Sequence, residues 1–194
     1  MEKEIDPDKK TIEIDPDYKK IIDRCAESGE NFVINNGNAM HAAYLLTKFF
    51  AKAEDQVRIF TGVLFAEVFD GQPLIDAAVE FLSRSANNKI VVAFQEKEGE
   101  EEKRGRVLKR NFVKKLTTTL PKNSGKLEIY SIPLDLDGQV NHFAVMDSKA
   151  FRYELDHDKK SAVANFGDQK NSGKLKEFFD KLIAGHSTKV TIHV

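Results

Sequence analysis

Between Gln56 and Pro133 the chain alternates three apolar, β-rich runs with two amphipathic helical stretches, and this alternation limits the fold more than any other feature. The runs are "QVRIFTGVLF" from Gln56, "IVVAF" from Ile90 and "KLEIYSIP" from Lys126. They carry few polar interruptions, as strands buried on both faces do. Leu74, Ala77, Ala78, Phe81 and Leu82 recur at helical spacing after Pro73, and the pattern predicts a helix to about Ala86. Val107, Leu108, Phe112, Val113 and Leu116 predict a second helix, from Val107 to Leu120. Two helical patterns precede these: Tyr18 to Glu27, and Ala39 to Glu54 with Asn38 as N-cap and Met40, Ala43, Tyr44, Leu46, Thr47, Phe50 and Ala51 as its stripe. Strands separated by helices imply a parallel sheet with crossover connections.

After Pro133 the grammar changes. "QVNHFAVMD", "AFRYEL" and "SAVANF" are short β-rich runs joined by brief turns, which reads as an antiparallel meander. A closing helix is expected over Ser172 to Ile183, with Leu175, Phe178, Phe179 and Leu182 inward and Gly185 as its C-cap. "TKVTIHV" reads as a last strand or arm, and the charge run "QEKEGEEEKRGR" from Gln95 reads as a solvated loop. The segment "EIDPD" occurs twice, at Glu4–Asp8 and Glu13–Asp17. Asp-Pro ends extended pieces, so residues 1–20 are expected to form an N-terminal arm ahead of a single domain at 21–194.

The charge balance, 30 basic against 31 acidic residues, gives no global field for nucleic acid, although a local patch is compatible with it. Cys25 is the lone cysteine, which rules out an internal disulfide. No apolar run reaches the roughly 18 residues of a membrane span. The expectation is a cytoplasmic protein with no membrane association, no metal and no cofactor.

The layout resembles one half of the phospholipase D-like superfamily. The resemblance rests on the crossover strands, on a hairpin headed by His142 that turns at Asp147, and on Asn165 in the third short strand. It implies an α/β fold: a mixed sheet with parallel crossover strands, an antiparallel C-terminal meander and helices on both faces. It also implies a homodimer, because single-half members pair. The family motif is a histidine, a lysine two residues on and an aspartate five after that. The histidine attacks phosphorus, while the lysine and a later asparagine hold phosphate oxygens. Here the motif is broken. With His142 as nucleophile, Ala144 takes the lysine's place and Asp147 comes two residues early. With Asp147 matched to the aspartate, His142 takes the lysine's place and Val140 the nucleophile's. The resemblance therefore implies a catalytically degenerate binding or accessory module with nucleic acid as its expected ligand. The alternatives are a diverged phosphodiesterase using His142, Arg152, Glu154 and Asn165, and a protein-interaction module docking through residues 1–20.

Parity decides what His142 can do, since strand neighbours alternate faces. If Ser148-Lys149 form a two-residue turn, Asp147 pairs with Ala150 and His142 lies opposite Leu155, a core residue among Phe151 and Tyr153. If Asp147 to Lys149 form a three-residue loop, Met146 pairs with Ala150, His142 faces Glu154 and Arg152 lies opposite Ala144. No glycine marks either turn. The first register is the expected one, because the aromatic face needs burial. Asp156-His157-Asp158 reads as a polar turn rather than a metal cluster. Arg106, Lys109, Arg110 and Lys114 form the strongest cationic stretch and are the candidate phosphate-backbone contacts if the protein binds nucleic acid.

Overall fold

The computed structural model describes residues 14–97, 100–121, 124–133, 141–156 and 161–192. In chain order the elements are α1 (Pro16–Ser28), β1 (Ile34–Asn36), α2 (Ala39–Lys52), β2 (Gln56–Thr61), α3 (Ala66–Phe69), α4 (Gln72–Arg84) and β3 (Lys89–Glu96). There follow α5 (Glu101–Leu108), α6 (Asn111–Thr119), β4 (Leu127–Pro133), β5 (Phe143–Met146), β6 (Ala150–Asp156), β7 (Ser161–Asn165), α7 (Gln169–His186) and β8 (Thr188–Lys189). Among the described residues one sheet takes in every strand, in the order β1-β7-β6-β5-β2-β3-β4-β8.

The alternation read from the sequence is present as β2, β3 and β4, which run parallel. The meander β5-β6-β7 continues the sheet on the other side of β2, antiparallel throughout. Helices cover both faces. The larger core packs Leu45, Phe49, Phe50, Phe81 and Phe112 from the crossover helices onto Ile59, Val92 and Ala144 of the sheet. The smaller core packs Phe179 and Leu182 of α7 onto Phe60, Val91, Phe143 and Val145. Helix α7 has 18 residues, hence a length of about 27 Å. Six strand spacings separate β7 from β8, or about 29 Å. One helix is therefore long enough to carry the chain from the meander back across the sheet to pair β8 with β4. Beneath it Arg58, almost wholly buried, donates from Nε to Asp180 Oδ1 at 2.8 Å.

Several elements depart from expectation. The second "EIDPD" copy starts a helix instead of ending an arm: Asp15 accepts from the amide of Asp17 at 2.8 Å, with Pro16 at the first helical position. Helix α1 thus takes in residues 16–20, while the first copy lies outside the described residues. The stretch 107–120 is two helices. Asp70 accepts from the Phe112 amide and pairs with Arg110 at 3.5 Å, which starts α6 afresh at Asn111. Part of the expected charged loop is helical as α5. The buried stripe of α2 is Ala42, Leu45, Leu46, Phe49 and Phe50, displaced from the predicted one because α2 packs against α1 and α4 as well as the sheet. Helix α7 runs through Gly185 to a cap at Ser187.

The hairpin register is the second of the two weighed. Met146 pairs with Ala150 and Ala144 with Arg152. Asp147 sets it. Its φ of 53° is left-handed, a conformation that aspartate tolerates better than most side chains. From there its carboxylate accepts from the amides of Glu54, Asp55 and Gln56 at 3.1, 3.0 and 2.8 Å. Its own amide donates to the Gln56 carbonyl at 2.8 Å. The hairpin tip is thereby fastened to the start of β2. The expectation of burial for the aromatic face is met all the same, because Phe143 packs under Phe179 of α7.

Replacing Asp147 by Ala removes the acceptor for all these amides and is expected to destabilise the fold by about 2–3 kcal/mol in urea denaturation. Asp147→Asn keeps one acceptor oxygen and tolerance of the left-handed turn, and is expected to cost roughly half as much.

Candidate functional site

The site grows out of that register. His142 stands immediately before β5, and the Glu154 amide donates to its carbonyl at 2.8 Å, so the two residues are direct cross-strand neighbours. Side chains paired in this way share a face. His142 Nδ1 accordingly donates to Glu154 Oε2 at 2.7 Å, with both side chains largely buried. The bond fixes the imidazole's orientation and leaves Nε2 as the ring's second polar atom. On its far side the ring rests on Gly62: a Cβ there would lie 3.0 Å from His142 Nε2. The absent side chain at Gly62 is what lets the imidazole sit against the end of β2.

Arg152 lies two residues before Glu154 on β6, on the same face. Its Nε donates to Asn36 Oδ1 at 2.7 Å. Asn36, 1% exposed, in turn donates to the Asn38 carbonyl at the head of α2. Burial pushes the Arg152 guanidinium below the ordinary arginine value, against the opposing pull of the nearby Glu154 carboxylate. The group stays charged, because arginine begins so far above neutrality. Among the described residues Arg152 makes no ion pair, and its terminal nitrogens have no hydrogen-bond partner.

His142, Arg152 and Glu154 line one cavity of about 180 Å³. Its other walls are the first turns of α2, the end of β2 and α3. This places it at the C-terminal end of a parallel strand, where open α/β sheets bind ligands. No lysine lines it. Thr61 also faces it but donates its hydroxyl to the Val63 carbonyl at 2.8 Å, which makes it a brace for the turn.

Of the residues singled out in the sequence, His142, Arg152 and Glu154 come together and Asn165 does not. Asn165 pairs with Phe151, three residues along β6 from Glu154, about 10 Å away. Its Oδ1 accepts from the amides of Gly167 and Asp168, and its Nδ2 donates to Asn31. It fastens the loop before β1, where Gly167 approaches so closely that a Cβ would strike the Gly29 carbonyl. The cationic stretch is also dispersed. Arg106 pairs with Glu102 and Arg110 with Asp70, while Lys109, Lys114 and Lys115 are exposed. Among the described residues no metal-binding cluster is present; Val140, His157 and Asp158 lie outside them. Asn36 was missed in the sequence. Its signal, an asparagine at the end of a three-residue strand, is too common to identify an arginine's anchor.

No family model and no curated protein match the sequence. Among solved structures the chain is similar to Nuc, a phospholipase D family member from Salmonella typhimurium, with 13% identity and a TM-score of 0.55 over 83% of this chain and 99% of that one. It is similar to TrmBL2, an archaeal chromatin protein, with 14% identity and a TM-score of 0.55 over 89% of this chain and 61% of that one. NucT from Helicobacter pylori is similar at 14% identity and a TM-score of 0.50 over 81% of this chain and 97% of that one. The chain thus spans nearly the whole of Nuc but only about three fifths of TrmBL2. These likenesses establish a phospholipase D-like fold.

Widening Gly62 tests the geometry. Gly62→Val is expected to push the His142 ring out of its seat, and Glu154→Gln to weaken the charge-assisted bond to Nδ1. Both should move the His142 ring nitrogen resonances in ¹⁵N NMR, with far-ultraviolet circular dichroism unchanged.

Proposed function

We propose that this phospholipase D-like chain is a binding module that holds an anionic group beside His142 and Arg152 and does not hydrolyse phosphodiesters. One observation carries the reading: a largely buried guanidinium, its terminal nitrogens unpartnered among the described residues, shares a cavity with the His142–Glu154 pair. The nearby Glu154 carboxylate only partly offsets the burial of this cation and is itself engaged by His142, so an anion in the cavity would supply the direct partner that the terminal nitrogens lack. The head of α2 adds to this. Asn38 satisfies the His41 amide at 2.8 Å and leaves the amides of Ala39 and Met40 facing the same end. Hydrolysis through a histidine nucleophile needs a second group to protonate the leaving oxygen and a cation for the developing charge. Among the described residues the lining holds one histidine and no lysine, so the family's histidine–lysine pair is not assembled within it. In this reading two copies pair, as in single-half members of the family, and Phe32 and Val33, 42% and 58% exposed, offer apolar surface beside β1, the end strand of the sheet among the described residues. The buried free thiol of Cys25 suits a reducing, cytoplasmic setting.

Titration with formate or phosphate, followed by ¹H–¹⁵N NMR, is expected to move the signals of Gly62 and His142 and the Arg152 side chain. Arg152→Gln should abolish the response. Bis(4-nitrophenyl) phosphate should remain intact, and turnover that disappears in His142→Ala would overturn the non-hydrolytic reading.

A second reading, nucleic-acid binding, is favoured by the likeness to TrmBL2, whose structure shows a mode of DNA binding, and by exposed Lys109, Lys114 and Lys115. Changing these three lysines to glutamate should remove salt-sensitive DNA binding in fluorescence anisotropy. Arg110 is left intact because it holds Asp70. Undetectable binding by the unmodified chain at low salt would remove this reading.

A further inference from the structure

We infer that the cavity is a receptor site for a small organic monoanion, a carboxylate joined to one compact apolar group such as a phenyl ring or a branched alkyl chain. The inference rests on the anion-holding reading and specifies its ligand from size, lining and charge. At about 180 Å³ the space falls below the roughly 300–1,000 Å³ of sites for drug-sized molecules. It exceeds an apolar cavity of about 150 Å³ that admits benzene. A nucleic-acid strand does not fit inside, whereas a single ring with one polar head does.

The lining has two halves that match the two ends of such a molecule. Ala42 and Leu46 of α2, Ile59 of β2, and Val68 and Phe69 of α3 make an apolar wall. His142, Arg152 and Glu154, on the sheet strands beyond Ile59, make the polar part of the lining. Phe65, also lining the cavity, stands at the mouth with 43% exposure.

Charge selects within the anions. Among the described residues Arg152 is the one permanent cation in the lining, and its planar fork suits a carboxylate. Glu154 is occupied by His142 Nδ1. Glu67, exposed on α3, places a second carboxylate at the mouth. A ligand with one negative charge is matched by the guanidinium. A dianion such as a phosphate monoester brings a second charge that meets two carboxylates and, among the described residues of the lining, no further lysine or arginine.

The test is isothermal titration of the full chain with benzoate, formate, phenyl phosphate and benzamide, the neutral isostere. Benzoate is expected to bind about tenfold or more tightly than each of the others. Arg152→Gln should remove the preference for benzoate over benzamide. Val68→Trp, which fills the apolar wall, should remove the preference over formate while formate binding persists. Glu67→Gln should narrow the gap between benzoate and phenyl phosphate. Circular dichroism checks that each variant is folded. Phenyl phosphate or formate binding as tightly as benzoate would overturn this inference and leave the anion site standing. Binding of none of the anions, or binding indifferent to Arg152→Gln, would overturn the anion site as well.

Discussion

One carboxylate fixes the geometry on which the site depends. Asp147 gathers the amides of residues 54–56 at the start of β2 and holds the hairpin tip in a left-handed turn. A slip of one residue would exchange the two faces of β6 relative to β5. It would send Arg152 and Glu154 under α7 and leave His142 opposite Leu155. The same aspartate that the family motif would place in a catalytic signature thus acts here as the register pin of the sheet.

This explains why the register could not be read from the chain alone. In the sequence, the visible criterion is which register buries the aromatic residues. Both faces of the meander are covered, one by the crossover helices and one by α7, so burial is satisfied in either parity. What decides between them is a set of hydrogen bonds to a segment more than 90 residues away. The break between α5 and α6 has the same character. Its cap is Asp70, about 40 residues upstream, and nothing local to Lys109 announces it. Features set by local periodicity were legible: the parallel strands, the antiparallel meander and the Asn38 cap. The surroundings of Asn165 were not legible, because an asparagine near a strand end serves equally as a ligand contact or as a loop fastener, and its bond to Asn31 is made across more than 130 residues of sequence.

The site joins a phospholipase D-like fold to a set of side chains of its own. The fold presents the head of β5 at the C-terminal end of β2, so whatever residue stands there meets whatever its partner strand offers. Here that is a histidine braced by a glutamate and an arginine braced by Asn36. Both polar groups are oriented before any ligand arrives, which lowers the ordering cost of binding. The arginine is at once the least comfortable group in the lining and the most informative. Its burial lowers its proton affinity, and an anion beside it would restore what desolvation removed.

The most direct test of the central claim is anomalous diffraction from crystals soaked in bromide, a singly charged ion that scatters distinctively. The account predicts a bromide within about 3.5 Å of the Arg152 guanidinium, inside the cavity, with His142 opposite Glu154. Density placing His142 opposite Leu155, or bromides found only on exposed lysines with the cavity empty, would contradict it.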